Sequence, residues 1–170
     1  LALAMFAPGG WEGGEDTASS SKPHTAMVDL DGTIMPGGDV DADKVAKGLR
    51  RAFKAKFSKA VILRINSPGG SPVQSGTIYH EIKRLREKHP DKKLYAVITD
   101  IGASGAYYVA AAADEIYADP ASLVGSIGVI SEGFGFVGGM EKLGIERRLI
   151  TSGENKAFLV PFSPQEPRDK

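Results

Sequence analysis

The chain has no cysteine. Disulfides, a thiol nucleophile and thiolate metal sites are therefore excluded, while the redox compartment stays open. No run of about 18 apolar residues occurs, so no segment reads as a membrane-spanning helix. Charge of one sign is not in excess: 21 Lys and Arg balance 21 Asp and Glu, and no whole-chain field draws nucleic acid or anionic lipid. Histidine is scarce. The three are His24, His80 and His89.

The residues that are present fit one globular domain. The 170 residues are 42% hydrophobic and 25% charged, enough to bury a core. Glycine is plentiful at 21 residues and clusters in "SPGG", "GASG", "VGSIGV" and "EGFGFVGG", a sign of tight turns and close backbone approaches. Residues 1–23 read as a flexible linker or the remnant of an anchor or signal segment: "LALAMFAP" is apolar but short, and "APGGWEGGEDTASSSKP" is rich in Gly, Ser and Pro. The folded part, 24–170, then alternates strands and helices. "TAMVDL" is a strand. "DADKVAKGLRRAFKAKF" is a helix capped by Asp41 or Asp43, with Val45, Leu49, Phe53 and Phe57 on one face. Its basic opposite face reads as a solvated surface rather than a nucleic-acid patch. "KAVILRI" is a strand, and "SGTIYHEIKRLREKH" is a helix with Ile78, Ile82 and Leu85 inward, ended by Pro90. "KLYAVIT", an alanine-rich helix after "GASG", the strands "EIYAD" and "SLVGSIGVIS", the helix "FVGGMEKLG" and the strand "IERRLIT" complete an α/β pattern.

The segment "DLDGTI", Asp29 to Ile34, reads like the nucleophile motif of a haloacid-dehalogenase-type phosphatase. There the first Asp would attack phosphorus and the second would serve as acid/base with Mg²⁺. Thr99, Lys142 and Asp114 can be nominated as partners, but no adjacent acidic pair follows a later strand, and the reading leaves the glycine motifs unexplained.

Two of those motifs carry chemistry of their own. In "INSPGGS" a strand runs into Pro68, Gly69 and Gly70 and then a helix, which exposes backbone N–H groups at a helix start; a tight turn alone also fits. In "DIGASGAYYVA", Ser104 sits between small residues where a strand yields to a helix. It is not a G-x-S-x-G elbow, because residue 106 is Ala, and on its own it fits a helix cap. Lys156 stands among Ala157, Phe158, Leu159 and Val160. Desolvation there would lower its pKa and make it a base; by itself it also fits a surface loop. His80 and His89 read as surface residues.

"INSPGGSPVQSG", "GASGAYYVAAAADEIYA", "VGSIGVI" and "TSGENKAF" occur in that order between Ile65 and Phe158, within a resemblance that covers residues from about 25 to 162. Together they resemble the signal peptide peptidase A (SppA/SohB) family of serine-lysine peptidases, within the ClpP/crotonase superfamily. The resemblance implies a repeated ββα spiral domain, with Ser104 as nucleophile, Lys156 as general base and Ser126 orienting the lysine. A ClpP-type triad with a histidine beyond the serine is not available. The oxyanion hole would be the N–H groups of Gly70 and Gly105. Gly69, Ser71, Ile127, Gly128 and Val129 would line an extended peptide substrate. No metal and no cofactor are implied. The implied activity is cleavage of released signal peptides or unstructured polypeptides by a ring-shaped homo-oligomer, without nucleic acid. A bacterial-type membrane association is implied, at the periplasmic face of the inner membrane or on the cytoplasmic side, through sequence missing from this chain. Further helical sequence is expected past Lys170, so 24–170 reads as C-terminally truncated. A non-peptidase crotonase-fold protein or an inactive scaffold is the alternative.

Overall fold

The computed structural model describes the backbone of residues 2–6 and all atoms of residues 21–128, 133–150 and 160–164. It forms two compact units, Leu1–Gly128 and Val129–Lys170.

The first unit is built on a parallel sheet. Its strands are β1 (Ala2–Phe6), β2 (His24–Asp31), β3 (Ser58–Ser67), β4 (Lys93–Ala103), β5 (Glu115–Ala118) and β6 (Leu123–Gly125). The order is β1-β2-β3-β4-β5, with β6 also paired to β4, and every pairing is parallel. Three helices connect the strands: α1 (Ala42–Lys54), α2 (Pro72–Lys88) and α3 (Gly105–Ala110). Parallel strands buried on the helix side read as β-branched apolar runs, which is what "KAVILRI" and "KLYAVIT" supply. Their registers align three rungs across the sheet: Ala26–Val61–Leu94, Val28–Leu63–Ala96 and Leu30–Ile65–Ile98. All nine residues are buried, joined by Val45, Leu49 and Phe53 of α1 and Ile78, Ile82 and Leu85 of α2. Each fully buried Leu or Ile contributes about 1.5–3 kcal/mol, so this core holds the strand ends in place.

Ala2–Phe6, within the stretch read from sequence as a flexible linker or the remnant of an anchor or signal segment, is a strand. It pairs Ala2 with His24 and Phe6 with Val28. The edge of β2 presents a row of backbone donors and acceptors that need partners, and an apolar segment satisfies them. Phe57 is also placed differently. α1 ends at Lys54, so Phe57 lies beyond the helix and is exposed. The Lys92 ammonium donates to the carbonyls of Phe53 (2.7 Å) and Ala55 (3.0 Å) and closes the helix there. α2 starts earlier than expected, at Pro72, because Ser71 caps it and proline suits the first helical position. Asp41 is the cap of α1, as its position suggested.

The second unit holds α4 (Val137–Lys142). Phe136 N–H donates to the Pro161 carbonyl (2.8 Å), the Phe136 ring stacks on Phe162 (5.4 Å), and Arg147 donates to the Ser163 hydroxyl. Residues 145–150, expected to be a strand, have no regular structure. Ile145, Leu149 and Ile150 are exposed, and no strand among the described residues pairs with them.

Candidate active site

Ligand sites in parallel α/β sheets form where the strands end. Here β3, β4 and β6 end close together. β4 pairs Ile98 with Ile65 and then Gly102 with Ser67, so residues 99–101 oppose Asn66 alone. This irregularity bends β4, and its last residues, Ile101 to Ala103, pair with β6.

The first loop leaves β3 at Ser67, whose buried hydroxyl accepts a hydrogen bond from Gly69 N–H (3.1 Å). Gly69 has φ +93° and Gly70 φ +148°, conformations that favour glycine. A Cβ on Gly69 would lie 2.7 Å from both the Ala103 carbonyl and the Gly105 nitrogen. The "SPGG" and "GASG" loops therefore touch backbone to backbone. Ile34 bridges Gly70 by donating to the Gly69 carbonyl (2.8 Å) and accepting from Ser71 N–H (2.8 Å). In such a parallel bridge the N–H of Gly70 itself points away from Ile34.

The second loop carries Ser104 at φ 51°, ψ −123°. Its N–H donates to the Gly125 carbonyl (2.8 Å) and its carbonyl accepts from Tyr108 N–H (3.0 Å). Although Ser104 occupies the N-cap position of α3, its hydroxyl makes no capping bond. The helix-cap reading therefore fails, and the side chain stands on a strained strand-to-helix turn of the kind that presents nucleophiles. Neither Gly70 N–H nor Gly105 N–H has an acceptor among the described residues. A Cβ on Gly105 would be 3.5 Å from the Gly70 nitrogen, so the two loops bring these two glycines together next to the serine.

Ser126 follows Gly125 and has φ 52°. It and Ser104 are the two non-glycine residues with positive φ among those described, and the Ser104–Gly125 bond joins their segments. Ile127 is 82% exposed and Gly128 has φ +151°. Ser71 caps α2 by accepting from Gln74 N–H (3.4 Å). Lys156 and Val129 lie outside the described residues.

The phosphatase residues are not assembled. Asp29 is held by Arg64 in a bidentate pair (2.7 and 3.0 Å), and Asp31 accepts from Asn66 (3.1 Å). Thr99 donates to the Ile65 carbonyl (3.3 Å). Asp114 sits at the opposite end of the sheet, bonded to Leu94 N–H, Arg86 and Lys93. Burial raises its pKa, but Arg86, Leu94 N–H and Lys93 outweigh that and hold it at about 2. No group of three or more His, Asp or Glu among the described residues could hold a metal ion. His89 packs on Phe53 (5.7 Å) near the end of α2 and His80 is exposed; burial, then Lys92, Lys88, Arg84 and Lys54, lower the His89 pKa. Sequence reasoning missed Ile34, Ser67 and Ser75, which brace the two loops. Ser75 was visible only as a serine one turn after the cap.

The model of peptidase family S49 matches residues 86–170. The chain is 47% identical over 148 residues, 84% of its length, to a Brucella melitensis protein named Na(+)/H(+) antiporter NhaA, of which the match covers 20%. It is 33% identical over 162 residues, 92% of its length, to the chloroplastic serine protease SPPA of Arabidopsis thaliana, covering 24% of that protein. It is 35% identical over 123 residues, 72% of its length, to a putative signal peptide peptidase SppA of Enterococcus faecium, covering 35% of it. The chain thus spans from about a fifth to about a third of these relatives. With its parallel α/β sheet of ClpP/crotonase type and a family match that spans half of its length, this chain belongs to peptidase family S49.

Proposed function

We propose that the chain carries the nucleophile and oxyanion hole of a serine endopeptidase of the signal peptide peptidase A type, with Ser104 and Lys156 as its dyad. The observation that carries this reading is the strained Ser104 turn, its hydroxyl uncapped, beside the unpaired N–H groups of Gly70 and Gly105. Neutral Lys156 takes the Ser104 proton as Oγ attacks the scissile carbonyl, and the two N–H groups hold the oxyanion. Lys156 passes that proton to the leaving amine, giving an acyl-enzyme. Water then adds to the ester, its proton returns through the lysine to Oγ, and the acid product leaves. Ser126 orients the lysine amine. The substrate is a released signal peptide or another unstructured chain, lying extended beside Gly69–Ser71 and beside Ile127, Gly128 and Val129. The assembly is a homo-oligomeric ring associated with the membrane.

The antiporter name belongs to a protein of which this segment matches a fifth, and no helix among the described residues is long and apolar enough to cross a membrane. The test uses the full-length protein and a fluorophosphonate probe with mass-spectrometric site mapping. Labelling at Ser104 that is lost in Lys156→Met supports the dyad. Labelling elsewhere, or peptidase activity that survives Ser104→Ala, overturns it.

A further inference from the structure

We propose that Ser75 is a positioning residue that sets the spacing between the two oxyanion donors. This rests on the reading of Ser104 as nucleophile and of Gly70 and Gly105 as donors, and adds a residue to it. Ser75 lies in the first turns of α2 and is 1% exposed. A buried hydroxyl must find a partner, and this one donates to the Ser71 carbonyl (2.9 Å). That bond fixes its direction. On its other side the hydroxyl faces Gly105 and fills the place of its missing side chain: a Cβ built there would collide with Ser75 Oγ and lie 3.2 Å from Ser75 Cβ.

Gly105 is not among the glycines with positive φ. Its backbone therefore accepts any L-residue, and alanine is the better helix former. Ser75 is the steric reason for glycine at this position. The two oxyanion donors stand at the starts of the two helices that Ser75 separates: Gly70 precedes the cap of α2, and Gly105 is the first residue of α3. The locked hydroxyl acts as a wedge between them. Small displacements of such donors weaken transition-state binding more than substrate binding.

The experiment measures kcat and KM on a fluorogenic peptide with the full-length protein, together with the affinity of a peptide aldehyde, whose adduct occupies the oxyanion hole. Ser75→Ala lowers kcat ~10-fold, leaves KM within ~2-fold, and weakens the aldehyde in step with kcat. Ser75→Cys keeps the wedge and stays within ~3-fold of wild type. Gly105→Ala lowers kcat ~10²-fold, and the double variant Ser75→Gly/Gly105→Ala recovers ~10-fold over Gly105→Ala, because the wedge has been removed to admit the methyl group. Circular dichroism and thermal melting establish that each variant is folded. If Ser75→Ala only lowers the melting temperature, or the double variant gains nothing over Gly105→Ala, the proposal is overturned while Ser104-dependent turnover stands. Turnover that survives Ser104→Ala overturns the nucleophile reading and the proposal with it.

Discussion

The backbone of Ile34 grips the chain on both sides of Gly70, through the Gly69 carbonyl and the Ser71 N–H, each at 2.8 Å. Gly32, at φ +105°, makes the turn that delivers Ile34, and its own N–H donates to the Asn66 carbonyl (2.9 Å). The segment that most resembled a phosphatase nucleophile is therefore the brace of the "SPGG" loop, which the proposed function assigns to the oxyanion hole. Its acidic residues pair with β3, and its backbone aims Gly70.

Gly70→Ala tests that brace where it is tightest. A Cβ would lie 2.9 Å from the Ile34 nitrogen and carbonyl carbon and closer still to its oxygen. The bridge must open, and the donor turns away from the site. Loss of one oxyanion donor costs about 10²–10³ in kcat, and steady-state kinetics should show a fall of that size with a small change in KM. Gly32→Ala is the mild counterpart, since the nearest atom to its Cβ is Val40 Cγ2 at 3.9 Å. Only backbone strain of about 1 kcal/mol is expected, read as a lower denaturation midpoint.

Ser104 offers a comparison of two inactive variants. Ser104→Ala removes the hydroxyl but keeps a Cβ at φ 51°, whereas Ser104→Gly removes both hydroxyl and strain. Both should lose peptidase activity by at least ~10³-fold. The glycine variant should nevertheless be more stable than the alanine variant by about 1 kcal/mol in urea denaturation. Equal stabilities would mean that the turn carries no strain at residue 104.

The sheet was legible because its signal is local. β-branched runs bounded by glycine and proline gave β2, β3 and β4, and the stripe Val45–Leu49–Phe53 gave α1. The features that were not legible depend on distant partners. The end of α1 is fixed by Lys92, far along the chain, so periodicity carried the helix wrongly on to Phe57. "IERRLIT" has strand composition, but composition cannot supply a neighbouring strand. At the site, "SPGG" and "GASG" were visible as motifs. Their contact through Gly69, and the hold of Gly125 on Ser104, depend on the bend in β4 that brings β6 alongside. Lys156 rests on motif order and the family, since it lies outside the described residues.

Asp29→Asn separates the structural role of "DLDGTI" from the catalytic one. The variant removes a charge from a bidentate pair whose carboxylate is largely buried while Arg64 is 42% exposed. Solvent around the guanidinium limits the loss to about 1 kcal/mol. Peptidase activity should stay within a few-fold of wild type, and neither protein should hydrolyse an aryl phosphate. Phosphatase activity that vanished in Asp29→Asn would revive the phosphatase reading.

Acid stability provides an independent check on the packing of the helices against the strands. Asp114 is held at about 2 by Arg86, Leu94 N–H and Lys93 against the opposing effect of burial. Glu81 is held at about 2 by Arg84, with burial opposing and Arg50 adding to the effect. A carboxyl whose folded pKa lies below its unfolded value stabilises the fold fully above the unfolded pKa of about 4. That stabilisation is lost as pH falls through the folded value. Asp114, with its side chain 12% exposed, should contribute about 2 kcal/mol at neutral pH by this linkage. Denaturation at pH 7, 4 and 2.5 should show stability holding to near pH 4 and then dropping. Asp114→Asn should be less stable at pH 7 and should lose less on acidification. A variant whose acid drop matched that of wild type would show that Asp114 does not carry it.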